Sequence, residues 1–246
     1  MNIFNFVLIL SISQICFIHS WRCEIGEEIC SCLNLNRKFK IICIRQVLTN
    51  KFPNFSHYAN LSQFPYQIEL RNRNYTKIES SSFLNVNLEF LEISNNQIDL
   101  LIDNRAIFEL KTLKTINLHS NGLEKIKLNS LYNLEILILS DNRLKVLSND
   151  TFLGLKKLKH LSLSNNLIFE IDSSTFNSLF DLEYLNLKNN QLDVFKSFSY
   201  DKTDFKLKDL ILNDNNLKYL NSSFTNNLKH LEGIELRNSV IKVIDR

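Results

Sequence analysis

The sequence predicts an α/β-type repeat solenoid, with a parallel β-sheet along a concave face and a mostly irregular convex side. Three observations lead there. An eleven-residue apolar pattern returns eight times at steps of about 24 residues. Asparagine fills the same slot of that pattern in six of the eight copies. Four cysteines gather between positions 23 and 43, behind an apolar leader and ahead of the first copy.

Composition removes competing classes. The 246 residues include only four glycines and two prolines. Gly26, Gly122, Gly154 and Gly233 stand far apart, so neither G-x-G-x-x-G nor G-x-x-x-x-G-K-[ST] occurs and no phosphate-cradling loop is available. No cofactor is expected. A net charge of +3, with no basic run longer than two residues such as Lys156-Lys157, is too mild for a nucleic-acid footprint, and no nucleic-acid partner is expected. The 33 asparagines match the output of an AT-rich genome, so their positions carry more information than their number.

Residues 1–20 read as a cleaved signal peptide. They hold no charged side chain, are apolar at 4–10 save for Asn5 and again at 15–18, and end on the small Ser20. Asn5, Ser11, Ser13 and Gln14 interrupt the run of about 20 apolar residues that a spanning helix needs. No later run reaches that length, so no membrane span is expected in the given chain.

Cys16 leaves with the leader. Cys23, Cys30, Cys32 and Cys43 remain, an even set that reads as two disulfides in an exported chain. Three pairings are open, of which Cys30 with Cys32 would close a strained loop. No C-x-x-C is present and no histidine sits at ligand spacing, so no metal is expected.

The repeat begins weakly at 65–75 (PYQIELRNRNY). It continues at 88–98 (LEFLEISNNQI), 113–123, 134–144, 158–168, 182–192, 207–217 and 231–241 (LEGIELRNSVI). Numbering the slots one to eleven, slot six holds Leu70, Ile93, Leu118, Leu139, Leu163, Leu187, Leu212 and Leu236. Slots four and six alternate inward from a short strand. One unit cannot bury its apolar face alone, so neighbours stack over a shared core. Slot nine reads Arg73, Asn96, Asn121, Asn142, Asn166, Asn190, Asn215 and Ser239, where chain-wide frequency predicts about one asparagine. The primary amide both donates and accepts, so these six asparagines form a structural ladder for backbone groups stranded at the strand ends. Phe83, Phe152, Phe176 and Phe224 recur before the next strand and are read as convex packing, with Leu128 in that role in the shortest unit.

L-x-x-L-x-L-x-x-N-x-L in eight registered copies resembles the leucine-rich repeat family over residues 63–246. The resemblance implies a horseshoe, and the unit length resembles its extracellular members. Residues 21–62 are similar to the cysteine-bounded N-terminal cap of those members, through the C-x-C core and the KIIC segment. The outer spacings are longer than usual, and Glu24 stands where proline is customary. The resemblance implies pairing of Cys23 with Cys32 and of Cys30 with Cys43. No cysteine follows Cys43, so no C-terminal cap is evident. The expectation is a last unit shielded by a partner or a homodimer, or a chain that continues beyond Arg246.

No enzyme is expected. H-E-x-x-H and G-x-S-x-G are absent, and His57, His119, His160 and His230 stand alone. Carboxylates read as scattered over solvated slots. Function is assigned to the concave face, reached by slots three, five and seven. Its apolar members, Phe90, Ile136, Ile138, His160, Tyr184 and Ile211, are the candidate contacts to a protein ligand. Sequons at Asn54, Asn60, Asn74, Asn149 and Asn221 are about as many as composition supplies; Asn149 and Asn221 each lie three residues before a convex phenylalanine. The expected role is a secreted or receptor-ectodomain protein that binds another protein in adhesion, signalling or immune recognition. The alternative is an extracellular-matrix protein that self-associates or binds fibrous partners.

Overall fold

A computed structural model describes residues 21–25, 28–35, 38–45, 53–55, 65–78, 82–98, 100–101, 107, 110–128, 130–195, 205–221, 228–239, 241 and 243–245. At 21–32, 34–39, 44–45, 100–101, 220–221 and 243–245 only the backbone is described. The leader, Asn60 and Phe224 lie outside the described residues.

Three long strands come first: β1 (Trp21–Ile25), β2 (Glu28–Leu35) and β3 (Lys38–Arg45). One strand per repeat follows: β4 (Tyr66–Glu69), β5 (Leu88–Glu92), β7 (Thr115–Asn117), β9 (Ile136–Ile138), β11 (His160–Ser162), β13 (Tyr184–Asn186), β14 (Asp209–Ile211) and β16 (Gly233–Glu235). Short flanking strands lie between them: β6 (Leu100–Leu101), β8 (Lys125–Ile126), β10 (Val146–Leu147), β12 (Glu170–Ile171), β15 (Tyr219–Asn221) and β17 (Val243–Asp245). The first eleven strands named join in one sheet, antiparallel through β3 and parallel from there on, each strand beside its predecessor. Flanking strands pair as β6 with β8, β10 with β12 and β15 with β17.

Registers match slot to slot. Ile136, His160, Tyr184 and Asp209 face one another in series, as do Leu137, Leu161, Leu185 and Leu210. In units of three strand residues only the middle one is fully buried in β7 and β13, and slot six follows it into the core. Slot four is buried from Ile68 to Leu210, and slot six from Leu70 to Leu212. Ile234 in β16 departs, at 38 % exposed. Leucines of slot one and slot eleven close each turn of the core, as Leu134 and Leu144 do. Burial of each such side chain contributes about 1.5–3 kcal/mol. On the convex side Phe152 and Phe176 are buried and stack, with ring centroids 6.1 Å apart, and Phe55 stacks on Phe83 at 5.6 Å.

The chain reversal after each strand divides between two residues. Sequence reading places it on slot nine alone. In the structure the bend itself belongs to slot eight, where Asn72, Asn95, Ser120, Asp141, Asn165, Asn189, Asp214 and Asn238 all adopt φ between 53° and 58°. Left-handed backbone favours glycine, and asparagine and aspartate tolerate it best among the others. Here they replace glycine at seven of the eight bends, and Ser120 does so at the other.

Slot nine then ties the bent chain. Asn166 Nδ2 donates to the carbonyls of Leu139 (2.9 Å), Leu163 (3.0 Å) and Ser164 (3.2 Å), while its Oδ1 accepts from the Leu144 amide at 3.1 Å. Asn142, Asn190 and Asn215 repeat this pattern. Asn96 accepts from the Arg73 and Tyr75 amides, so the arginine in the first slot nine is tied through its backbone. Asn121, half-buried, holds Ile98 more loosely at 3.3 Å.

Asn95 separates backbone conformation from side-chain bonding, because it is exposed at φ 53°. Asn95→Gly is expected to leave stability within a few tenths of a kcal/mol. Asn95→Val is expected to lower it by about 1–2 kcal/mol, since a β-branched residue resists positive φ. Urea unfolding of the three proteins checks this; equal midpoints would remove the conformational reason for polar residues in slot eight.

Candidate functional site

The concave face is built by the strand residues left over once slots four and six enter the core. Slot three forms one row, Phe90, Thr115, Ile136, His160, Tyr184, Asp209 and Gly233, each opposite the next. Slot five forms a second row, in which Ile138 and Ile211 are separated by Ser162 and Asn186. Of the six candidate contacts, Ile136, Ile138, His160 and Tyr184 are therefore contiguous on three neighbouring strands. Phe90 lies beyond Thr115, and Ile211 sits beside Asn186 on the next strand. Ile136 is the most open, at 36 %, and the others are half-buried.

His160 and Tyr184 form a face-to-face stack, with centroids 4.2 Å apart and planes 5° off parallel. Partial burial holds the imidazole below its ordinary pKa. The unfolded chain therefore binds this proton at higher pH than the folded one. Stability is lost as pH falls from about 6.5 toward the lowered folded value, and levels off below it. His160→Phe, which keeps a ring in the stack, is expected to flatten the fall in melting temperature between about pH 7 and 5. An unchanged profile would show that His160 does not contribute to it.

Other parts of this face are occupied by the protein's own contacts. Toward the cysteine-rich end the buried carboxylates Glu69 and Glu92 share Arg71, at 3.2 and 2.7 Å, and Glu69 also pairs with Lys40 of β3 at 2.5 Å. Ser94 donates to Glu92 at 2.8 Å. In the middle, Ser140 bonds Ser162 at 2.7 Å and Ser164 donates to Ser140 at 3.0 Å. Slots five and seven are thus closed by hydrogen bonds at several units, and slot three supplies most of the open surface.

A second alignment lies along the flank, in slot two. Glu89, Lys114, Glu135, Lys159, Glu183, Lys208 and Glu232 alternate in sign without exception. The ammonium groups of Lys114, Lys159 and Lys208 reach the preceding carboxylates at 2.5, 3.0 and 2.6 Å. The hydrogen bond from Lys208 holds the Glu183 carboxyl below its ordinary range, and the bond to Glu89 raises Lys114. These carboxylates are not scattered. Stacking places residues of opposite charge on neighbouring strands, about 4.8 Å apart, within reach of such pairs.

Among the sequons, Asn149 and Asn74 are exposed and Asn54 is half-buried, while only the backbone of Asn221 is described. Cys43 is buried and disulfide-bonded, and its backbone lies opposite Cys30 across β2 and β3. The side chains of Cys23, Cys30 and Cys32 lie outside the described residues. Among the described residues no group of His, Cys, Asp and Glu is placed to hold a metal ion, and no helix is long and apolar enough to cross a membrane.

Comparison with known proteins agrees with this geometry. The leucine rich repeat family model matches residues 111–168 and 132–192. No curated protein sequence matches. The solved complex of TLR13 with ssRNA13 superposes with a TM-score of 0.66 at 28 % identity, over 74 % of this chain and 27 % of that one. Toll, in the Drosophila Toll–Spatzle complex, gives 0.54 at 23 %, over 73 % of this chain and 29 % of Toll. Internalin C2 of Listeria monocytogenes gives 0.63 at 22 %, over 80 % of each chain. The chain spans under a third of the length of the TLR13 and Toll chains that it matches. The family match covers residues 111–192, and the parallel stack of this chain has the fold of solved leucine-rich repeat structures.

Proposed function

We propose that this chain is an extracellular protein-binding module, secreted or part of a receptor ectodomain, that engages a protein ligand through its concave sheet. The observation that carries this is the contiguous, partly open row of Ile136, His160 and Tyr184, with Ile138 beside it, on a parallel sheet face. Parallel sheets normally have both faces covered. The uncovered apolar centre with a polar surround has the anatomy of an interface. Two of the similar structures are complexes, one with Spatzle and one with an RNA. The apolar row and the internally paired cations Lys40 and Arg71 favour protein over nucleic acid here.

Export is supported by the leader at 1–20 and by the bonded Cys43. Residues 21–62 serve as the cap of the solenoid, with Cys30 paired to Cys43, whose backbone register suits such a bridge, and Cys23 to Cys32, although β1 sets the Cys23 backbone opposite Cys30. In a secretory host Asn149 and Asn74 are the expected glycan sites.

Charge substitution tests the surface. Ile138→Asp and Tyr184→Asp should each reduce capture of ligands from a displayed peptide library by about tenfold or more, the range for residues at an interface centre. Leu153→Asp, on the convex side, should not. Equal capture by all variants, with unchanged circular dichroism, would refute the concave site.

A further inference from the structure

The slot-three row changes character along its length. Ile136 begins it as an apolar floor, the stacked rings of His160 and Tyr184 continue it, and Asp209 ends it at Gly233. Asp209 is exposed, and no ion pair or hydrogen bond engages its carboxylate among the described residues. Other concave acids are engaged: Glu69 and Glu92 with Arg71, and Glu235 with the amide of Asn213. Gly233 supplies the room. A Cβ placed there would come within 2.8 Å of Asp209 Oδ1, so any larger residue displaces the carboxylate from the space it occupies. The row therefore presents an apolar, an aromatic and an anionic surface in order.

We infer that the concave face accepts an extended peptide segment crossing the strands, with an apolar side chain at one position and an arginine or lysine four residues away. This rests on the concave-face function proposed above and specifies its ligand. From Ile136 to Asp209 is three strand spacings, about 14 Å at about 4.8 Å each. An extended chain covers that distance in about four residues at 3.3–3.6 Å each. Residues i, i+2 and i+4 of an extended segment point to one side. The first rests on Ile136 and Ile138 and the second on the ring edges of His160 and Tyr184. The third places its cation at Asp209, beside the face of Tyr184. Charge complementarity selects a cation there, because the carboxylate at that end of the row makes no ion pair among the described residues, the Lys208 ammonium that feels its charge being bonded to Glu183. A guanidinium additionally gains from an aromatic face. Either chain direction satisfies the spacing.

The test is selection from a displayed library of random nine-residue peptides on the full chain, followed by sequencing. Wild type should enrich peptides with Arg or Lys four residues from an apolar residue. Asp209→Lys should invert the preference at that position to Asp or Glu. Asp209→Asn should weaken an enriched peptide by about tenfold, the loss of one charge-assisted contact. Gly233→Ala, which shifts only the tip of the Asp209 side chain, should weaken it in the same direction. Asp209 is exposed, so these variants are expected to fold, and thermal melting confirms it. If Tyr184→Asp abolishes enrichment while Asp209→Lys leaves the charge preference unchanged, the inference is wrong and the concave-face function stands. If Tyr184→Asp has no effect on enrichment, both fall.

Discussion

Asn166→Asp is expected to cost about 3–5 kcal/mol, a large share of the roughly 5–15 kcal/mol that holds a domain folded. The substitution is nearly isosteric, so packing is not the cause. The Asn166 amide nitrogen donates to three carbonyls, those of Leu139, Leu163 and Ser164. A carboxylate turns that donor into a fourth negative pole beside three carbonyl oxygens, at a residue that is buried. Protonation removes the charge and restores only one donor, leaving carbonyls unpaired at the usual desolvation cost. The same change at Asn95, exposed in slot eight, should be nearly silent, because Asp141 and Asp214 already occupy that slot. Thermal or urea unfolding of the two variants checks the contrast. Similar losses at both positions would mean that the two slots do not divide bending from tying.

Phe152→Ala should lose a comparable amount, about 3–5 kcal/mol, for a different reason. Its ring is fully buried on the convex side and stacks on Phe176 of the next unit. Truncation removes the transfer energy of the ring and leaves a cavity that the neighbouring unit, held by its own backbone bonds, cannot collapse to fill. The adjacent Leu153, 53 % exposed, is the control, and Leu153→Ala should stay within about 0.5 kcal/mol. Because each unit contacts mainly its neighbours, the damage should concentrate around residues 134–192. Hydrogen exchange should show faster amides there than at β4 and β5.

The core of this fold was legible because it depends on one-dimensional periodicity. Slots four and six predict burial from Ile68 and Leu70 to Leu210 and Leu212, and the structure buries each of them. The bend at slot eight was missed. In a chain with 33 asparagines, a column of asparagine, aspartate and serine beside the slot-nine column reads as background, although the signal is present as the dearth of glycine. Alternation in slot two was equally present, but only comparison down the column shows it, since within any one unit a single Glu or Lys looks like ordinary solvation. Glu69 and Glu92 read as open acids. Their closure depends on Lys40 of β3 arriving beside β4, a contact between the cysteine-rich segment and the repeats that no local pattern encodes. In the candidate site, the apolar members could be named from the slots. Which of them are contiguous, and that Gly233 leaves space for Asp209, required the register and the third dimension.

The most direct measurement of where this protein binds is site-specific photo-crosslinking. A photoreactive residue replaces Ile136 on the concave sheet in one preparation, and Leu153 on the convex side in another. Each is irradiated with the peptide pool enriched on the wild-type chain. Crosslinks at position 136 and none at 153 are the result predicted here. Crosslinks confined to 153, or equal at the two positions, would contradict recognition through the concave face.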